Sequence, residues 1–143
     1  MTVSSASAVW EGGLKGGKGT YSANSGAFKG VAYSFATRFE GAKGSNPEEL
    51  LAAAHAACFS MALSGGLEKA GTPATRVQTT ASCTVEPVEG GRKITTMKLV
   101  TRAKVAGIDQ AAFLKAAEGA KEGCPVSGAF KGNLKIELDA KLE

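Results

Sequence analysis

A chain of 143 residues is long enough to bury one core without disulfide staples or a structural metal, so a single domain over residues 1–143 is expected. Its 17 basic and 13 acidic residues leave a formal charge of +4, and the basic residues are scattered from Lys15 to Lys141. No basic stripe with interleaved aromatics appears, which argues against nucleic-acid binding.

Residues 7–39 alternate polar and apolar positions between glycine clusters. SAVWEG predicts a strand, GTYSANSGAF a hairpin turning near Asn24 to Gly26, and VAYSFATRF a third strand. In that third strand Val31, Tyr33, Phe35, Thr37 and Phe39 share one face, with Ala32, Ser34, Ala36 and Arg38 on the other.

The pattern changes at GAKGSNPEEL. Asn46 is a good N-cap, Pro47 suits the first helical position because its missing N–H would be unpaired there, and Glu49 stands where a capping-box side chain reaches back. A long alanine-rich helix follows and stops at Gly71-Thr72-Pro73. Its apolar run from Leu50 to Leu67 is broken by His55, two serines and Gly65-Gly66, so no membrane span is expected. The first residues, MTVSSASAVWEGG, show none of the segments of a secretory signal. A soluble cytoplasmic protein is the expectation. There glutathione and thioredoxin keep thiols reduced, so Cys58, Cys83 and Cys124 read as core thiols, ligands or redox groups rather than staples.

Two β-branched strands, roughly Thr75 to Val85 and Arg92 to Val105, are joined by EPVEGG and read as an antiparallel pair with one buried face. Asp109 caps a second helix, QAAFLKAAEGAKEG, which Gly123 ends. Cys124-Pro125 opens a short turn or helix, and NLKIELDAKLE is a last alternating strand. This order describes an α+β fold, an antiparallel sheet with two main helices packed on one face.

Cys58 falls mid-helix, on a side shared with Leu51, Ala54, His55, Met61 and Ala62. Burial there raises a thiol's pKa and leaves it inert unless a neighbour intervenes. Cys124 sits between a helix-ending glycine and a proline, near unpaired backbone N–H groups that favour an anion. Cys83, on a strand face with Ala81 and Val85, reads as a small buried hydrophobe.

NPEELLAAAHAACFSMAL, followed some 60 residues later by GCPVS and preceded by TRFEG and WEGGLKGGKGT, resembles the osmotically inducible protein C (OsmC) branch of the OsmC/Ohr family of organic hydroperoxide reductases, in order and over essentially the whole chain. The resemblance implies that Cys58 is the peroxidatic cysteine, Cys124 the resolving cysteine, Glu48 the catalytic carboxylate and Arg38 the activating arginine. It also implies an intertwined homodimer with shared active sites, an organic hydroperoxide as substrate, an external dithiol or lipoylated protein as reductant, a role in oxidative or osmotic stress, and no cofactor.

The residue types suit that chemistry. A thiolate attacks a peroxide, a guanidinium lowers the thiol's pKa, and a carboxylate holds the guanidinium. Glu48 and Cys58 are ten residues apart, roughly 15 Å along one helix axis at 1.5 Å per residue, too far for one arginine to bridge easily. If both serve one site, the glutamate comes from a second subunit, which again predicts a dimer.

Three other classes compete. His55, one turn before Cys58, suggests a Cys-His hydrolase or acyltransferase. His55, Cys58, Cys83 and Cys124 together suggest a zinc site, although no CxxC pair is present. A non-enzymatic stress-induced binding protein is the third. Phe39, Phe59, Met61 and Phe130 are candidates for an apolar wall that would favour alkyl hydroperoxides.

Overall fold

A computed structural model describes residues 1–143, and the chain divides into two compact units, Met1–Pro47 and Glu48–Glu143.

The first unit is a three-stranded antiparallel sheet in the order β1 (Ala6–Glu11), β2 (Lys18–Ala23), β3 (Val31–Tyr33). Alternation places Tyr21 on the covered side, only 7% exposed, against Tyr33 at 5.3 Å and edge-on to Phe28 at 5.7 Å. Gly19 must lack a side chain, because a Cβ there would lie 2.5 Å from the Tyr33 ring and 2.7 Å from that of Trp10.

The third strand is shorter than its alternation suggests. Strand pairing ends at Tyr33, and Phe35–Phe39 is a one-turn helix, α1, rather than the continuation of a strand. The cause is local. Ser34 and Thr37 form a capping box, with Ser34 N–H donating to Thr37 Oγ1 at 2.9 Å and Thr37 N–H donating to Ser34 Oγ at 3.2 Å. Both backbone donors are thereby taken from the ladder, and Arg38 rides on a helix instead of a strand.

The second unit is built on α2 (Pro47–Lys69), a 23-residue helix that starts at the expected proline and runs unbroken through Gly65-Gly66. Its buried residues, Glu48, Ala52, His55, Phe59, Leu63 and Leu67, recur every three or four positions and make one stripe. By length and mean hydropathy α2 is long and apolar enough to cross a membrane. Yet Phe59, Leu63 and Leu67 are fully enclosed in the unit's own core.

Two 15-residue strands follow, β4 (Ala74–Val88) and β5 (Gly91–Val105), paired antiparallel. Then come α3 (Gln110–Gly123), α4 (Pro125–Phe130) and β6 (Lys135–Leu142). β6 pairs with β5 in parallel, so this sheet is mixed rather than wholly antiparallel. The crossover through α3 and α4 allows that sense. Arg102 of β5 fixes the register with a forked bond to Asp139 of β6 at 3.0 and 3.3 Å. Asp109 caps α3 as expected, accepting from Ala112 N–H at 2.8 Å. The Gln110 amide reads the β6 edge like another strand, donating to Ala140 O at 2.8 Å and accepting from Leu142 N–H at 2.9 Å. The core collects Phe59, Leu63 and Leu67 from α2, Leu99 and Ala103 from β5, Phe113, Ala117 and Ala120 from α3, Ala140 from β6, and Cys124.

Candidate active site

Two thiols from distant parts of the chain meet in this core. Cys58 comes from the middle of α2 and is half-buried, whereas Cys124, between α3 and α4, is 1% exposed. Cys58 packs against the core cluster that contains Cys124, and both cysteines are free thiols.

Local sequence explains the placement of Cys124. Gly123 ends α3, Cys124 adopts an extended conformation (φ −69°, ψ 123°), and Pro125 occupies the first position of α4. The Cys124 N–H still closes α3 by donating to Ala120 O at 2.9 Å. Its side chain is left over the first turn of α4, where N–H groups lack helical partners.

The two thiols are therefore electrostatically unequal. Burial pushes Cys124 up, but the polar influence of the Cys58 thiol, of Ser127 and of the Val126 backbone outweighs it, so Cys124 ends below its ordinary value. Cys58 moves the other way. Burial and its partnership with Cys124 push it up, against a single backbone N–H from Val126. Cys124 is thus the more acidic of the two, while the sulfur nearer solvent is that of Cys58. Cys58 needs a cation from elsewhere to become the thiolate.

The other expected residues are placed as follows. Glu48 lies in the first turn of α2, 6% exposed, and its negative charge acts on Cys83, raising that thiol after burial has already done so. Because α2 is unbroken, Glu48 and Cys58 keep the roughly 15 Å axial separation that ten residues impose. Arg38 belongs to the first unit, with its guanidinium 4.9 Å from the Phe39 ring centroid. It lines a hollow of 210 Å³ with Trp10, Leu14, Tyr33, Ser34, Phe35 and Phe39.

The ring nitrogen of His55 goes to Ser127, with Nε2 2.7 Å from Oγ, rather than forming the pair with Cys58 that a hydrolase would need. No three of the His, Cys, Asp and Glu side chains converge as metal ligands. Phe59 is wholly core and Met61 is 80% exposed, so those two form no common wall. Ser127 was missed by the sequence reading. The fourth residue of CPVS is polar and lies three positions after Cys124, which is where a capping side chain meets the first turn.

Fold and site together define an α+β protein with a paired dithiol. The family described as OsmC-like protein matches residues 40–139. The chain is 48% identical over 134 residues to Peroxiredoxin OsmC of Escherichia coli (strain K12), covering 94% of each. It is 33% identical over 103 residues to Organic hydroperoxide resistance protein OhrB of Bacillus subtilis (strain 168), covering 71% of this chain and 74% of that one. The fold is shared with an organic hydroperoxide resistance protein OsmC from Legionella pneumophila, with a TM-score of 0.76, 24% identity and 99% of each chain covered. This chain belongs to the OsmC/Ohr family, on the OsmC branch.

Proposed function

We propose that the protein is a two-cysteine peroxidase that reduces organic hydroperoxides to alcohols, and hydrogen peroxide more slowly, in oxidative or osmotic stress defence in the cytoplasm. The observation that carries this reading is the meeting of two free thiols, Cys58 and Cys124, in one core cluster, one nearer solvent and one enclosed. The names of the relatives, a peroxiredoxin and a hydroperoxide resistance protein, support it.

Accessibility supports the division of roles. Cys58 attacks the peroxide, because Cys124 at 1% exposure offers it no approach. The Cys58 thiolate takes the terminal oxygen, the O–O bond breaks, and the alkoxide collects a proton to leave as the alcohol. Cys124 then attacks the Cys58 sulfenic acid. An S–S bond forms, hydroxide departs, and an external dithiol, such as a lipoylated protein, reduces the disulfide.

The cation that Cys58 needs is the Arg38 guanidinium, held by Glu48, and the same guanidinium polarises the peroxide oxygens. Since Glu48 and Cys58 of one chain are held apart by their shared helix, the complete site draws on two chains, and the working unit is a homodimer. No cofactor is required.

The test is mass spectrometry after one equivalent of cumene hydroperoxide with free thiols blocked. A Cys58–Cys124 disulfide is the expected product. Oxidation confined to Cys83, with both other cysteines still labelled, would overturn the reading.

A further inference from the structure

His55 is the chain's single histidine, and it is fully enclosed. Its Nε2 lies 2.7 Å from Ser127 Oγ, 72 residues away in the chain, and its ring stands edge-on to Phe130 with centroids 5.3 Å apart. Both partners lie on α4, three residues apart, so one face of that short helix is turned to the ring. The other ring nitrogen, Nδ1, is buried without a partner. A buried N–H with no acceptor is the rarer and costlier defect, so the ring hydrogen sits on Nε2 and is donated to Ser127. This hydrogen bond fastens α4 to the middle of α2.

The spacing along the two helices ties that bond to the thiols. Cys58 stands three residues after His55 on α2, and Cys124 stands three residues before Ser127 at the head of α4. Three residues are nearly one helical turn, about 4.5 Å of axial rise. Cys124 keeps its place on α4 although it is the N-cap, because its carbonyl accepts the first helical bond, from Gly128 N–H at 3.0 Å. The histidine–serine bond and the two cysteines are thus successive rungs between the same pair of helices, and Cys58 packs against the core cluster that holds Cys124. Fixing one rung at hydrogen-bond length fixes the separation of the two backbones at the next.

We propose that His55 is a positioning residue whose bond to Ser127 clasps α4 to α2 and so sets the approach of Cys124 to Cys58 for disulfide closure. This rests on the two-cysteine reading above. In the step concerned, the Cys124 sulfur gives up its proton and attacks the Cys58 sulfenic sulfur. S–S forms as S–O breaks, and the departing hydroxide takes up a proton as water.

The experiment isolates that step. Rapid mixing with cumene hydroperoxide makes the Cys58 sulfenic acid, and a sulfenic-acid trap times both its appearance and its loss. His55→Phe and Ser127→Ala should each slow closure about ten- to a hundredfold, the scale of a misplacement of about 1 Å, while the sulfenic acid appears at the native rate. The double variant should be no slower than the slower single, because both remove the same bond. His55→Gln, which returns an amide N–H near the place of Nε2, should recover most of the rate. In His55→Phe the pH midpoint of closure should stay at its native value, since the ring acts on position and not on ionisation. Unchanged closure in both singles, additive losses, sulfenic acid formation slowed to the same degree, a displaced midpoint, or Gln as slow as Phe would each overturn the proposal.

A second measurement reads the clasp itself. The N–H groups of Gly128 and Lys131 bond Cys124 O and Ser127 O, and their exchange with solvent should quicken in both single variants. Exchange as slow as in the native protein would overturn the clasp. Native protein that forms no Cys58–Cys124 disulfide would remove the peroxidase reading, and the exchange result alone would then decide whether α4 is held by His55.

Discussion

Truncating Leu63 to alanine tests whether the thiol pair rests on a packed platform. Leu63 is wholly enclosed, four residues beyond Phe59 on α2, in the cluster that also holds Cys124. Removing its branched end forfeits the transfer energy of three carbons and leaves a cavity, because the surrounding core residues of β5, β6 and α3 relax only partially. The expected loss is about 2–5 kcal/mol. At about 2–4 °C per kcal/mol for a chain near this size, the melting temperature falls by about 4–20 °C. Urea unfolding followed by far-ultraviolet circular dichroism, at fixed protein concentration, reads the loss. Ser64→Ala is the control. Its side chain is exposed one residue further along, and the substitution should stay within about 0.5 kcal/mol. Equal effects at the two positions, or a Leu63→Ala loss below about 1 kcal/mol, would refute the assignment of the α2 stripe to the core.

Cys124→Ser should still consume about one peroxide per chain and then stall as a Cys58 sulfenic acid prone to over-oxidation, which intact-mass measurement detects. Arg38→Gln should lower turnover with organic hydroperoxide by about 10²-fold or more, the scale of losing one aligned charged donor, with little change in melting temperature. Burial and then the negative Glu48 raise the Cys83 thiol, so it should alkylate slowly at neutral pH, and Glu48→Gln should speed it. The sign for stability follows. The folded chain holds the Cys83 proton more tightly than the unfolded one, so this contribution is complete below the ordinary thiol value and is lost as pH rises through the raised one; the urea midpoint should drift down over that window. Asp109→Ala, which removes the α3 cap, should cost about 0.5–2 kcal/mol in the same unfolding assay.

Some of this was legible residue by residue. Pro47 and Asp109 announce two helix starts, and Gly123-Cys124-Pro125 announces the break that leaves Cys124 over a fresh helical turn, because caps and breaks are local hydrogen-bond problems solved within four residues. The long β4–β5 hairpin is likewise written in its β-branched alternation. The false third strand shows the limit. From Val31 to Phe39 the alternation suits a strand, but the Ser34–Thr37 capping box is an equally local signal and takes the donors that a strand would need. The parallel sense of β6 was not legible, since alternation has the same period in either direction and the crossover through α3 and α4 sets the sense.

The sequence by itself determined the starts of the two main helices, the long β4–β5 hairpin and, through the NPEEL-to-CFS and CPVS blocks, the family. Tertiary structure alone decided that Cys58 packs against the core cluster holding Cys124 and that Cys124 is the more enclosed of the two. It alone decided, too, that His55 bonds Ser127, 72 residues away, and not Cys58, one turn along its own helix. Sequence spacing reports neighbours along a helix. Which of them a buried nitrogen chooses depends on the donors and acceptors that packing brings to it, and those come from the far end of the chain.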